Sequence, residues 1–332
     1  MPTLRRALAA TAALALPAVA LTACSTDGEG TGSDDGTLQV LASFYPLQYV
    51  AEQVGGDLVS VDNLTPPSAE PHDLELAPAQ VRAVGDADLV VYQSGFQAAV
   101  DEAVDARQPE HVVDAADVVE LEASPGTVEH MDDEHEGETA EEHAEHADEE
   151  DGHDHGALDP HFWLDPTLLE PVADAVADEL SAVDPGNAAT YAANAEALTA
   201  TLDDLDARYA TALEPCAGQT LVTSHTAFGY LAERYDLVQI GIAAIDPEAE
   251  PSPARLREIG DVVEANDVQT IFTETLTSPK VAETLASDLG VATAVLDPLE
   301  GLSTEAADAG ADYVAVMDDN LDSLVTGLGC DA

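Results

Sequence analysis

The sequence predicts an α/β protein of two lobes of parallel-rich βα units, joined by a helical connection. Three observations carry this. Short β-rich runs alternate with helical patterns from residue 37 onward, the alternation resumes near residue 219, and two long helical stripes lie between the two blocks. In chain order, TLQVLASF (37–44) is a strand candidate followed by the helical PLQYVAEQVGG (46–56), and DLVSVDNL (57–64) is a second strand. APAQVRAVGDA (77–87) reads as a helix, DLVVYQSG (88–95) as a strand, FQAAVDEAVDAR (96–107) as a helix and EHVVDAAD (110–117) as a short strand. The second block offers strands at QTLVTS (219–224), LVQIGIA (237–243), VQTIFTE (268–274) and VATAVLD (291–297). Its helices are expected at 227–235, 252–266, 278–290 and, unbroken, 303–328.

Between the blocks, Leu169, Val172, Val176, Leu180 and Val183 share one helical face, with Pro171 expected to kink or restart the helix. Tyr191, Leu198, Leu202, Leu205, Tyr209 and Leu213 form a similar stripe. These stripes are core faces. Expected boundaries are an N-terminal lobe at 37–165, linking helices at 166–214 and a C-terminal lobe at 215–332. A long helix between lobes has no loop residues to absorb a large dihedral change, so it resists bending.

The 332 residues are 45% hydrophobic, enough for a real core, yet the formal charge is −58, with 67 acidic residues against 9 basic ones. Lys280 is the only lysine. Such a surface repels phosphate backbones, which excludes a nucleic-acid partner, and attracts cations; it also serves solubility or salt tolerance.

MPTLRRALAATAALALPAVALTAC reads as a secretory signal peptide over 1–23, because its apolar part is short and holds Pro17. It ends in LTAC, which resembles a bacterial lipobox and makes Cys24 the expected lipidation site. Two acyl chains meet the two-anchor requirement for stable attachment. The expected location is the outer face of the cytoplasmic membrane, as a secreted lipoprotein. STDGEGTGSDDG (25–36) continues as a flexible tether. Cys216 and Cys330 remain, and an oxidising compartment makes a disulfide between them plausible.

Residues 128–156 break the pattern. They hold fourteen Asp or Glu residues and six of the chain's ten histidines, His130, His135, His143, His146, His153 and His155. With almost nothing to bury, the segment is expected to be a disordered loop that binds metal weakly.

Four histidines lie elsewhere. His72 sits in TPPSAEPHDLELAP, a loop stiffened by Pro66, Pro67 and Pro71; His161 sits in DPHFWLDP, walled by Phe162 and Trp163; His225 sits in VTSHTAFGYL. Each is placed where an α/β lobe presents ligands, in the loops around strand ends. Asp297 in AVLDPLEG and Glu274 in IFTETL are carboxylates at equivalent places, whereas His111 lacks any rigid or aromatic context and reads as a surface residue. Three imidazoles and a carboxylate form an N/O set suited to Zn²⁺, with Zn–N bonds of about 2.0–2.1 Å. Calcium and magnesium prefer oxygen cages.

PPSAEPHDLELAP, DPHFWLDP, TSHTAFGYLAERY and LDPLEG, in that order, make the chain similar to the metal-binding lipoproteins of ABC uptake transporters, in their zinc-specific ZnuA-like branch. The resemblance covers about residues 37–330. It implies two α/β lobes joined by one long rigid helix, with metal in the interlobe cleft. It also implies His72, His161 and His225 as imidazole ligands, with Asp297 as carboxylate or Glu70 or water in that place. The manganese branch usually has glutamate at the position of His225, so His225 favours zinc, as does the acidic, histidine-rich loop. Partners so implied are a membrane permease and its ATPase, with the protein itself a monomer. A manganese- or iron-binding member, a zinc-storing adhesin and a zinc hydrolase using Glu274 as base are the alternatives. Against the hydrolase, no H-E-x-x-H helix, G-x-S-x-G elbow or P-loop occurs.

Overall fold

The computed structural model describes residues 37–123 and 158–330. The leader at 1–23, Cys24, the tether at 24–36 and the segment 128–156 with its six histidines lie outside the described residues.

The N-terminal lobe is a parallel sheet of β1 (Leu38–Ala42), β2 (Val59–Asn63), β3 (Leu89–Tyr92) and β4 (Val112–Asp114), in the order β2-β1-β3-β4. Parallel pairing demands crossovers. Helices α1 (Tyr45–Gly55), α2 (Pro78–Asp86) and α3 (Ala98–Arg107) lie in them, and α4 (Ala115–Val118) follows β4. Helices α5 (Leu169–Val183) and α6 (Ala188–Leu213) come next. The C-terminal lobe is again parallel, with β5 (Thr220–Thr223), β6 (Val238–Gly241), β7 (Thr270–Thr273) and β8 (Ala292–Val295) in the order β6-β5-β7-β8. It carries α7 (Gly229–Arg234), α8 (Pro253–Ala265), α9 (Lys280–Leu289), α10 (Thr304–Asp308) and α11 (Tyr313–Leu328). The second lobe therefore repeats the strand order of the first.

The central strands of each sheet are apolar on both faces, as helix-covered parallel sheets require. Successive side chains alternate faces. Val40 and Ala42 of β1 and Leu89 and Val91 of β3 join the large central core, while Leu41 and Val90 face Val84, Val100 and Ala103 on the other side. In the second lobe Leu221 and Phe272 face the central core, and Val222 and Ile271 pack with Ile259 and Val263 of α8. Phe44, Phe162, Trp163, Phe228 and Tyr313 belong to the same central core, which runs continuously from one lobe into the other.

Of the two helices expected as linkers, α5 belongs to the N-terminal lobe, where it packs on α1, β3, β4 and α4. Only α6 was found to bridge, packing on α1 and on α11. Near its start Asn194 Nδ2 donates to Val54 O (2.9 Å), and near its end Tyr209 OH donates to Met317 O (2.5 Å). Its 26 residues span about 39 Å at 1.5 Å per residue. Pro171 does not interrupt α5, because it falls in the first turn, where a missing N–H breaks no helical bond. The expected unbroken helix over 303–328 is two helices. Gly310 takes φ +75° between them, and the Asp312 side chain caps α11 by accepting from Ala315 N.

Cys216, just past the end of α6, is disulfide-bonded to Cys330 at the end of α11, closing a separation of 114 residues. The bond removes unfolded-state entropy over that long loop. Cys330→Ser is therefore expected to lower stability by about 2–5 kcal/mol. Denaturant unfolding of the metal-free variant beside the oxidised parent checks this, and an unchanged midpoint would refute it.

Candidate metal centre

Among the described residues, the candidates His72, His225, Glu274 and Asp297 sit in loops at the strand ends of their lobes. His72 lies in the loop between β2 and α2, and Glu70 Oε1 accepts from His72 N (2.9 Å) to fold that loop on itself. His161 precedes a 3-10 turn over Phe162–Leu164. His225 follows β5, and Glu300 lies in the loop after β8. The side chains of His161, His225 and Glu300 are buried, and His72 is 12% exposed, the one member of the group that meets solvent.

Four residues, His72, His161, His225 and Glu300, have ligand atoms all within 4.8 Å of one another. The three histidines present Nε2 to a single oxygen, Glu300 Oε1, at 3.3, 3.0 and 3.2 Å respectively. A tetrahedral ion with bonds of about 2.05 Å holds its ligand atoms roughly 3.3 Å apart. The three oxygen-to-nitrogen distances are thus close to the edge of such a tetrahedron, and the nitrogens lie within 4.8 Å of one another.

The other ring nitrogens are backed by carboxylates. Asp159 Oδ1 lies 2.7 Å from His161 Nδ1 and also accepts from His161 N (3.0 Å). Glu274 Oε2 lies 2.8 Å from His225 Nδ1, and its Oε1 accepts from His225 N (3.0 Å). The contacts of the His225 ring with Glu274 and Glu300 are close in distance without hydrogen-bond alignment, so they act by charge. Carboxylates behind imidazoles fix ring orientation and raise ligand basicity.

Burial and charge oppose each other here. Burial pulls the pKa of His225 down, but the charges of Glu274 and Glu300 overcome it and lift it to about 10. Burial likewise lowers His161, and Asp159 with Glu300 raises it to a net increase. Burial raises Glu300, yet its close contacts with His161, His225 and His72 hold it well below the usual carboxylate range. A carboxylate this deeply buried stays ionised when positive charge stands beside it. The site is therefore built for cations, whether ring protons or a metal ion.

The walls are dry. The Phe96 ring meets the His72 ring edge-on at a centroid distance of 4.8 Å, and Trp163 stands 5.2 Å from His161. Trp163 Nε1 donates to Pro298 O (2.8 Å) and Tyr313 OH to Trp163 O (2.6 Å), which ties the DPHFW turn to the second lobe.

Asp297, the carboxylate expected in the group, is replaced there by Glu300. Asp297 Oδ2 accepts from Thr275 Oγ1 (2.7 Å) and Oδ1 from Leu299 N (2.8 Å), so both oxygens are engaged in holding the turn. Leu299 then takes φ +57°, a backbone state rarely open to leucine, immediately before Glu300. Both acids stand in the same LDPLEG stretch, and the turn decides which of them joins the histidines. Glu70 lies 3.9 Å from His72 Nε2 and caps its own loop, while Glu274 backs His225. His111 Nδ1 pairs with Glu179 Oε1 on α5 (2.7 Å), apart from the group. Asp159, unremarked in the sequence, is the backing acid of His161; its place two residues before a histidine, ahead of proline, is the only signal.

Residues 40–327 match the family model described as zinc-uptake complex component A, periplasmic. The chain is 38% identical over 304 residues to the high-affinity zinc uptake system protein ZnuA of Bacillus subtilis, covering 92% of this chain and 91% of that protein. It is 36% identical to the zinc-binding lipoprotein AdcA of Streptococcus pneumoniae, covering 93% of this chain but only 58% of AdcA. Among solved structures, Zn(II)-bound AdcA superposes with a TM-score of 0.71 at 33% identity, covering 88% of this chain and 58% of that one. The laminin-binding protein Lmb of Streptococcus agalactiae, described as having adhesin and metal-transporting activity, gives 0.73 at 31% identity, covering 88% of this chain and 99% of that one. With two four-stranded parallel lobes, one bridging helix and a family match across nearly all the described residues, the chain belongs to the zinc-uptake complex component A family.

Proposed function

We propose that the protein captures Zn²⁺ outside the cytoplasmic membrane and delivers it to an ABC permease, with His72, His161, His225 and Glu300 as the ligands. The observation that carries this reading is the convergence of three imidazole Nε2 atoms on one buried carboxylate oxygen between two lobes. Three nitrogen donors and one oxygen favour zinc over manganese, which prefers oxygen-rich, higher-coordinate sites. Zinc is cargo. Nothing in the arrangement must activate water, and Glu274, the candidate general base of a hydrolase, is engaged with both the backbone and the ring of His225. Cys24 in LTAC serves as the membrane anchor, and the histidine-rich segment gathers zinc ahead of the buried site.

Competitive titration of metal-free protein with Zn²⁺ and Mn²⁺ tests the assignment. Zinc is expected to bind more tightly, and a manganese preference would overturn it. His225→Ala and Glu300→Ala are each expected to weaken zinc by at least about tenfold, since losing a ligand should exceed the 10–100-fold effects of losing outer-shell partners. Asp297→Asn should weaken zinc far less than Glu300→Ala; equal losses would return Asp297 to the ligand set.

The pH dependence has a definite sign. A histidine with a raised folded pKa stabilises the metal-free protein while protonated, a contribution complete below the unfolded value near 6.5 and lost as pH rises through about 10 for His225. Zinc takes the deprotonated ring, so binding expels those protons. Apparent zinc affinity is expected to climb between pH 6 and pH 9, by about tenfold per pH unit for each proton displaced. Titrations in buffers of different ionisation enthalpy count the protons, and an affinity flat across that range would contradict the expectation.

A further inference from the structure

Three glutamines outside the ligand set share one pattern. Gln97 Nε2 donates to Pro71 O (3.2 Å), the carbonyl immediately before His72, and also to Thr65 Oγ1 (2.9 Å). Gln93 Nε2 donates to Pro160 O (3.0 Å), the carbonyl immediately before His161. Gln239 Nε2 donates to the carbonyl of His225 itself (3.3 Å) and to Thr223 Oγ1 (3.2 Å). Each of the three leaves its own Oε1 buried with no hydrogen-bond partner among the described residues. The amides are oriented by chemistry, because a carbonyl partner requires the nitrogen to face it.

Stability alone does not account for this. A buried amide with one end unsatisfied is a worse choice than an apolar side chain of the same shape. What the three have in common is the address of the bond they donate: one glutamine for each histidine. Gln93 and Gln97 flank a single turn between β3 and α3, so the two N-terminal-lobe histidines are set from one rigid base, while Gln239 on β6 sets the third from the other lobe. Pro71 and Pro160 add fixed φ at the two carbonyls held.

We propose that Gln93, Gln97 and Gln239 are positioning residues, each fixing the backbone beside one histidine so that the three imidazoles keep their short distances to Glu300 Oε1, a compact N/O set that favours zinc over manganese. This rests on the zinc-capture reading above. Selectivity among divalent ions is set by geometry more than by raw affinity, and loosened histidines would admit the longer bonds and higher coordination of manganese.

The test uses Gln93→Met, Gln97→Met and Gln239→Met, singly, in the full chain. Methionine keeps the shape while deleting both the donated bond and the unpartnered oxygen, so the metal-free melting temperature should change little. Gln80→Met is the control: Gln80 Nε2 donates to Leu64 O (2.9 Å), and its Oε1 accepts from Ala77 N, at carbonyls and amides not adjacent to any histidine of the site. Zinc and manganese affinities are read by competition, and Co²⁺ serves as a spectroscopic probe whose visible bands are strongest in tetrahedral sites. The three variants are expected to bind zinc about tenfold more weakly, at the lower end of outer-shell effects, with a smaller zinc-to-manganese ratio and weaker Co²⁺ bands. Gln80→Met should change none of these. If one variant does not fold, the other two carry the result. Parental zinc affinity, ratio and Co²⁺ spectrum in the methionine variants, or equal losses in Gln80→Met, would overturn the positioning role. Failure of the parent itself to hold zinc would overturn the proposed function and this inference with it.

Discussion

One buried carboxylate oxygen, Glu300 Oε1, holds three imidazoles from different parts of the chain at 3.0–3.3 Å. The rest of the molecule is arranged around that constraint. His72 and His161 come from the first half of the chain, and His225 and Glu300 from the second. The oxygen and its three nitrogens meet only if the halves are held in one relation. The shared core does this with Phe162, Trp163, Phe228 and Tyr313, and α6 does it with Asn194 near one end and Tyr209 near the other. The Trp163 to Pro298 bond is the most direct of these ties, since it joins the turn bearing His161 to the turn bearing Glu300.

The cluster also explains why carboxylates appear in successive layers. A lone buried Glu300 would be neutralised by protonation, because desolvation is so costly. Surrounded by histidines, it stays ionised. His161 and His225 in turn are kept basic by Asp159 and Glu274 behind them. Acid, base, acid is a stable sequence of layers, and it leaves the inner nitrogens rich in electron density. A divalent ion satisfies the same charge pattern that protons satisfy in its absence. In the proposed site, metal and proton therefore compete for the same atoms.

Much of this was legible before any coordinates. Proline-stiffened or aromatic-flanked histidines around strand ends pointed to His72, His161 and His225 because parallel sheets present their loops in predictable places. The carboxylate was not legible, because LDPLEG contains two acids and the choice between them depends on φ at Leu299 and on Thr275 engaging Asp297. Periodicity showed that the faces of α5 and α6 are buried, but not against which lobe, so the two looked alike as linkers. Gly310 was readable in principle as a helix break. The glutamines carry no sequence signal, since a buried amide is recognised only by the carbonyl it holds.

The overall charge and the site work on different length scales. Sixty-seven acidic residues draw in cations of every kind, but surface fields are screened within about 8–10 Å at physiological ionic strength and do not distinguish zinc from magnesium or calcium. Discrimination requires donors of the right type at a fixed separation, and here those donors lie within 4.8 Å of each other, inside one screening length. There the dielectric is lowered by Phe96 and Trp163, and the oxygen-rich exterior gives way to nitrogen. His72, alone among the four in meeting solvent, is where the two regimes join. In the capture proposed above, His72 offers an arriving ion its first imidazole, and an ion that accepts nitrogen in place of water gains by going further.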